Sequence, residues 1–169
     1  MAIVAPTKLR KVEDLNILLE VSAAMNAEKD LASLLSVIVD KTTRVLNAER
    51  GTLYLYDCDR EELWSLIAQG DNVGEIRLAL GQGLAGHVAE TKESIKIDDA
   101  YSDPRFNPEI DRKTGFKTRN MLVVPLLNLH DEIVGVMQVI NKRDGAFNDA
   151  DMELLHALGT HAAVAIEKQ

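Results

Sequence analysis

The sequence predicts an α+β fold in which helices flank a mainly antiparallel sheet. Both ends of the chain have apolar residues at the three- and four-residue spacing of amphipathic helices. The middle of the chain alternates apolar and polar residues with a period of two, which is typical of strands. Short polar turns separate several of these strands, so hairpins outnumber the long crossovers that a parallel sheet needs.

The composition limits the classes of function. The chain has 169 residues, 19 lysines and arginines against 27 aspartates and glutamates, a net charge of −8, and one cysteine. This length suits one domain. The acidic balance argues against nucleic-acid binding, one cysteine excludes an internal disulfide, and the longest apolar runs are too short to cross a membrane. We expect a cytoplasmic protein with no nucleic-acid or membrane partner.

Two helices are predicted at the N-terminus. The first covers residues 8–26 and has an apolar stripe like a short coiled-coil seam. We assign residues 1–28 to this helix, as a dimerisation or linker helix, and residues 29–169 to the domain proper. Asp30 is the predicted N-cap of the second helix, which ends near Asn47. The stripe of the first helix consists of Val12, Leu15, Leu19 and Ser22.

Six strands are predicted between the N-terminal helices and a last helix. The first two form a hairpin around Asp57–Arg60, and a short helix, Leu84–Thr91, follows the third. The last helix begins at Asn148 or Asp149, where acidic residues complement the helix dipole. The strands are expected at residues 53–56, 63–68, 76–80, 95–97, 121–127 and 133–141.

Residues 99–119 have little apolar periodicity and are expected to contain one short helix. A loop this long in a compact domain is unusual, and such loops are often functional. Asp111, Thr114 and Thr118 lie on one face if the segment is locally helical. A carboxylate and two hydroxyls on one face can bind a ribose or the edge of a base. The alternative interpretation is a capped, solvated turn.

A glycine-rich stretch follows the third predicted strand. Gly81–Gly86 matches the G-x-G-x-x-G pattern of dinucleotide-binding proteins, so a dinucleotide-binding enzyme is one alternative. The short helix and the neighbouring hairpins argue against it, since that fold is built from βαβ units. Free N–H groups at Gly83–Ala85 would still suit an anion at a helix N-terminus, unless the stretch is an ordinary glycine turn.

The residues predict no catalytic site and no metal site. Cys58 lies in a predicted hairpin turn without a second cysteine, and the histidines lack ligand spacing. Gln138 is unusual because it shares a strand face with apolar residues, and it should have a hydrogen-bond partner in the backbone or in a ligand. The four histidines are His87, His130, His156 and His161.

Three segments of the chain together resemble the GAF domain, a small-molecule sensing family, over about residues 30–168. These segments are Gly83–Ala89, Ile97–Tyr101 and Thr114–Asn120. The family fold is a central antiparallel sheet of about six strands with N- and C-terminal helices packed on one side, which agrees with the predicted element order. The chain is most similar to the cyclic-nucleotide-binding GAF domains of phosphodiesterases and cyanobacterial adenylyl cyclases.

This resemblance implies a ligand site and a structural motif. At Ala68, Gln69 and Gln138 the chain differs from a mammalian cyclic-nucleotide-binding member, which has an aromatic residue, an aspartate and a glutamate at the matching positions. Met152 stands where the motif usually has a glutamate. The implied ligand-binding residues are Thr52, Ala68, Gln69, Gly83, Leu84, Ala85, Asp111, Thr114, Thr118 and Gln138. The implied structural motif consists of Asn141, Lys142, Phe147 and Asp151.

The resemblance implies a regulatory sensor domain rather than an enzyme. It would bind cAMP or cGMP, need no further cofactor, and relay the signal through its terminal helices. The phosphate would lie near Gly83–Ala85, with residues 99–119 as a lid. The implied partners are a second copy, bound through the terminal helices, and an output domain in a longer protein. Two alternatives are a dimerisation and signal-relay module with a different ligand or none and, more remotely, a dinucleotide-binding enzyme.

Overall fold

A six-stranded antiparallel sheet forms the centre of the molecule, as the sequence predicts. A computed structural model describes residues 4–27, 30–70 and 73–168, and the side chains from residue 12 onward. The strand order is β3-β2-β1-β6-β5-β4. The strands are β1 (Ala48–Asp57), β2 (Glu62–Ala68), β3 (Arg77–Ala79), β4 (Ile95–Ile97), β5 (Met121–Leu127) and β6 (Ile133–Lys142).

Five α-helices accompany the sheet in the described ranges. Their N-caps explain where two of them begin. The carboxylate of Asp30 accepts a hydrogen bond from the backbone N–H of Ser33 at 2.9 Å, which confirms the predicted N-cap. Asn148 and Asp151 cap the last helix reciprocally, each side chain accepting the other's backbone N–H. The helices are α1 (Val4–Ala27), α2 (Leu31–Val45), α3 (Gly83–Thr91), α4 (Glu109–Thr114) and α5 (Asp149–Glu167).

The larger core lies between one face of the sheet and the terminal helices. Leu35 of α2 and Leu158 of α5 are fully buried there against Leu53 of β1. Ile17 and Val21 of α1 belong to the same cluster, so the described part of α1 packs on the domain. The boundary expected between residues 28 and 29 falls outside the described residues. None of the described helices is long and apolar enough to cross a membrane.

The other face of the sheet carries a smaller core beneath α3 and residues 99–119. Tyr54 of β1, Val88 of α3 and Val123 of β5 are buried in it. Residues 99–119, called the lid segment from here on, contain a 3₁₀ turn at Ala100–Ser102 and then α4. The sheet therefore separates a helical layer on one side from the lid segment on the other.

The first strand begins earlier than the sequence predicts. β1 starts at Ala48 instead of residue 53, directly after Asn47. Asn47 has φ of 54°, in the left-handed region that asparagine tolerates, and this turns the chain sharply out of α2. The apolar alternation is weak at Glu49 and Arg50, which is why periodicity alone misses the start of the strand.

Candidate functional site

The candidate site begins with the alternation of side chains along β1. Leu53 points into the helical core, whereas Thr52 and Tyr54 point towards the lid segment. Thr52 pairs with Gln138 of β6 on one side and with Ala68 of β2 on the other. The sheet register thus places three predicted ligand residues side by side across adjacent strands.

Two small cavities lie between the sheet and the lid segment. The first has a volume of about 70 Å³ and the second about 50 Å³, and Gln138, Tyr54 and Phe106 line both. Ala68 lines neither, so the structure brings together the other predicted ligand residues and leaves this one beside them. Those in the first cavity are Thr52, Gln69, Asp111, Thr114, Thr118 and Gln138. Those in the second are Gly83, Leu84, Ala85 and again Gln138.

The lid residues do not share one helical face. α4 ends at Thr114 because Gly115 adopts a left-handed conformation with φ of 77°. The chain then reverses direction, and Thr118, which lies beyond the end of α4, contacts Asp111 within the helix. Its backbone N–H donates to the Asp111 carboxylate at 2.8 Å and its hydroxyl at 2.9 Å. The Tyr101 hydroxyl donates to the same carboxylate at 2.6 Å.

These contacts occupy the polar atoms that the sequence assigns to a ligand. The Asp111 side chain is buried and accepts three hydrogen bonds from within the lid segment. The hydrogen bond to Asp111 raises the pKa of Tyr101, which keeps this hydroxyl a donor. The Thr114 hydroxyl donates to the carbonyl of Ile110 at 2.9 Å. The lid segment is therefore closed on itself in this structure.

Two other polar groups are positioned by the sheet. The side-chain oxygen of Gln69 accepts the backbone N–H of Gly51 at 2.9 Å, which fixes the amide at the end of β2. Burial raises the pKa of the Tyr54 hydroxyl, so it stays protonated beneath the two cavities. Hydroxyl and amide groups of this kind bind the edges of polar heterocycles and sugar hydroxyls.

The glycine-rich stretch connects β3 to α3. Gly81 and Gly83 have positive φ values of 81° and 68°, and a Cβ on Gly86 would lie 2.6 Å from the carbonyl oxygen of Ala79. These glycines allow the turn to pack tightly against the start of the helix. Every strand pair of the described sheet is antiparallel, which contradicts the dinucleotide-binding alternative, because that fold requires parallel βαβ units.

The N-terminus of α3 faces the second cavity. The side chain of the N-cap residue, Gln82, makes no capping hydrogen bond and instead accepts the backbone N–H of Ala79 at 3.0 Å. The first N–H groups of a helix have no partner within it, and they favour an anion. The structure thus places the predicted anion-binding end of α3 next to Gln138, which forms a polar row on the sheet with Thr52.

The predicted structural motif connects the lid segment to α5. Asn141 accepts the backbone N–H of Arg119 at 2.6 Å and donates to the carbonyl of Lys117 at 2.9 Å. Lys142 donates to the fully buried Asp151 at 2.5 Å. The fourth motif residue, Phe147, is buried in the helical core, which Met152 contacts from its edge.

Arg50 and Phe116 are among the residues of the first cavity that the predicted ligand set lacks. The guanidinium carbon of Arg50 lies 3.7 Å from the centre of the Phe116 ring, although the residues belong to β1 and the lid segment. Arg50 and Asp111 are the charged residues among the described ones that line this cavity. The alternation that places Thr52 and Tyr54 on this face also places Arg50 there. The period of two along β1 would therefore have predicted that Arg50 faces the cavity.

The geometry suits a small polar ligand that carries an anionic group. Hydroxyls and amides converge on the sheet side, and a helix N-terminus lies at the far end. Ligand pockets usually measure about 300–1,000 Å³, far more than either cavity, so a ligand of that size needs the lid segment to open. Among the described residues no group of histidine, cysteine, aspartate or glutamate is arranged to hold a metal ion.

Comparisons with known proteins agree with this architecture. The chain is 33% identical over 161 residues to the dual 3',5'-cyclic-AMP and -GMP phosphodiesterase 11 of Drosophila melanogaster, covering 85% of this chain and 11% of that protein. It is 34% identical over 156 residues to the cGMP-specific 3',5'-cyclic phosphodiesterase of Drosophila virilis, covering 83% of this chain and 18% of that protein. The chain therefore spans less than a fifth of the length of these two relatives.

A solved structure gives the same result for the fold. The GAF domain from a phosphoenolpyruvate-protein phosphotransferase of Coxiella burnetii superposes with a TM-score of 0.82 at 26% identity, over 93% of this chain and 94% of that one. The family model of the GAF domain matches residues 30–166, which include the sheet, both cavities and the lid segment. This chain belongs to the GAF domain family.

Proposed function

We propose that this chain is a regulatory domain that binds a cyclic nucleotide, cAMP or cGMP, between the sheet and the lid segment. The observation that carries the proposal is the polar row of Thr52 and Gln138, which lies below the lid residues and beside the N-terminus of α3. The two phosphodiesterases that resemble this chain are named for cyclic nucleotides, which supports the same class of ligand.

Each part of a cyclic nucleotide has a complementary group in this arrangement. The phosphate carries one negative charge and suits the backbone N–H groups at Gly83–Ala85. The base and the ribose hydroxyl present donors and acceptors that suit Thr52, Gln69 and Gln138. Because the cavities are small, binding separates the lid segment from the sheet, and ligand affinity includes the cost of that opening.

Calorimetry with cAMP and with cGMP on the full chain tests this proposal. We expect saturable heat for one nucleotide, and a reduced affinity in Gln138→Leu, which removes the amide from the polar row. Thr160→Val is the matched control, because Thr160 is exposed on α5 away from the cavities. If neither nucleotide produces heat or a thermal shift at millimolar concentration, the proposal is wrong.

A second candidate role is dimerisation through the terminal helices. Val12, Leu15 and Leu19 lie on one face of α1 and are 51%, 60% and 68% exposed, although most residues of this size elsewhere in the described chain are buried. A second copy would remove this stripe from water, as in a short coiled coil. Sedimentation should give a dimer for the full chain and a monomer for Leu15→Glu/Leu19→Glu. A monomeric parent chain would exclude this role.

A further inference from the structure

The lid segment carries an aromatic side chain into the ligand pocket. Phe116 lines the first cavity together with Thr52, Gln138 and Arg50. It follows Gly115, where α4 ends, and its backbone N–H donates to the Thr114 hydroxyl at 3.3 Å. A Cβ added at Gly115 would meet nothing within 4 Å, so the residue before the ring faces open space.

The ring is held from the sheet side by Arg50. The guanidinium carbon lies 3.7 Å from the centre of the ring, the distance of a stacked cation–π contact. The same guanidinium lies against Gly70, where an added Cβ would be 2.5 Å from the Arg50 Cζ atom. Arg50 is thus packed between the ring and the backbone at the end of β2. Only a glycine at residue 70 leaves the guanidinium this position.

The position of the ring explains why the cavity is small. The side chain of Phe116 occupies space between the lid segment and the row that contains Thr52, and only about 70 Å³ remains. A larger space of about 260 Å³ lies outside, between β3 and α4, and shares Val73, Ile76 and Ile110 with the first cavity. A ligand therefore has room at the mouth of the pocket but not beneath the ring.

We propose that Phe116 is an internal plug of the ligand pocket, held in place by Arg50, and that ligand binding displaces it. This inference rests on the proposed function. The ring lies over the sheet when the lid segment is closed, and it leaves when a ligand enters. The stacking of Phe116 on Arg50 then opposes binding, since the population with an open pocket is small and the apparent affinity falls by that fraction. Phe116 thereby sets the ligand concentration at which the domain responds.

Hydrogen exchange on the ligand-free protein tests the plug without any ligand. The reporter is the backbone N–H of Thr118, which is bonded to Asp111 two residues beyond the ring. We expect Phe116→Ala and Arg50→Ala each to speed its exchange by about two- to thirtyfold, the factor that corresponds to a cation–π contact. The double variant should exchange no faster than the faster single variant, because the two changes remove the same contact.

Two further variants keep this experiment decisive. Phe116→Leu preserves an apolar side chain and the fold while it removes the stacking, so it should also speed exchange at Thr118. Arg112→Ala is the matched control: it removes an exposed arginine of α4 that pairs with Glu109 and does not contact the ring. Unchanged exchange at Thr118 in the Phe116 variants, or effects that simply add in the double variant, would overturn the plug.

Calorimetry separates this inference from the proposed function. If a cyclic nucleotide displaces the ring, Phe116→Ala should bind it more tightly than the parent chain, by the same factor as the change in exchange. Weaker binding in Phe116→Ala would show that the ring contacts the ligand, which contradicts displacement. If neither protein binds a nucleotide, the proposed function fails together with the displacement step, while exchange still decides whether Arg50 and Phe116 close the lid segment.

Discussion

The carboxylate of Asp111 accepts both the backbone N–H and the hydroxyl of Thr118, at 2.8 Å and 2.9 Å. Both residues are buried, and both were expected to close over a ligand. In the structure they bind each other. The lid segment thus has a closed arrangement held by its own hydrogen bonds, with which any ligand of the proposed function would compete.

The first prediction concerns this contact. Thr118→Val keeps the shape of the side chain and removes the hydroxyl that donates to Asp111, so it should lower the free energy of unfolding by about 1.5 kcal/mol. For a chain of this size the melting temperature should fall by about 3–6 °C. Thr160→Val, on the exposed face of α5, should change it little. Equal melting temperatures for the two variants would show that the contact contributes nothing.

The second prediction compares a buried ion pair with an exposed one. Lys142 donates to Asp151, whose side chain is fully buried, so Lys142→Met should destabilise the chain by about 3 kcal/mol in urea unfolding. The pair of Arg44 and Asp40 has the same separation but lies in solvent, and Arg44→Ala should cost less than about 1 kcal/mol. The interpretation fails if the two substitutions cost the same.

The third prediction uses two helical glycines. A Cβ at Gly86 would lie 2.6 Å from the backbone oxygen of Ala79, which cannot move without displacing β3 from α3. Gly86→Ala should therefore destabilise the chain by about 2–3 kcal/mol. A Cβ at Gly159 would lie 3.0 Å from the end of the Leu126 side chain, which has to shift by only a few tenths of an ångström, so Gly159→Ala should cost clearly less than Gly86→Ala. Urea midpoints for both variants check the contrast.

The fourth prediction concerns pH. Removal of part of the His156 ring from water lowers its pKa below the ordinary histidine value of 6.5, although the residue as a whole is exposed. Below pH 6.5 the unfolded chain takes up this proton before the folded chain does, so stability should fall as the pH falls through that window. NMR titration of the ring measures the pKa directly.

A variant tests whether burial or a hydrogen bond causes that shift. The Ser94 hydroxyl and the Nε2 atom of His156 lie 2.6 Å apart, so a hydrogen bond is present as well. Burial is the cause of the lowered pKa, and Ser94→Ala should therefore leave it below 6.5. A return to the ordinary value in Ser94→Ala would show instead that the hydrogen bond is responsible.

The elements that depend on local pattern were predictable, whereas contacts between distant segments were not. Period-two alternation predicted the six strands, and the position of Asp30 predicted the start of α2. The stacking of Arg50 on Phe116 joins β1 to the lid segment, and no spacing in the sequence indicates it. The end of α4 at Thr114 could have been predicted from the sequence, because glycine is the typical residue just beyond a helix C-terminus and Gly115 occupies that position.

The register of β1 has a practical consequence for altering this protein. From Arg50 to Leu55, odd-numbered residues such as Leu53 pack against the terminal helices, and even-numbered ones such as Thr52 face the first cavity. Substitutions at these even positions can therefore change the lining of the cavity while the helical face stays intact, and substitutions at the odd positions can do the reverse. A single inserted residue in the middle of β1 would exchange the two sets beyond that point, so length changes in this strand are far less tolerable than substitutions.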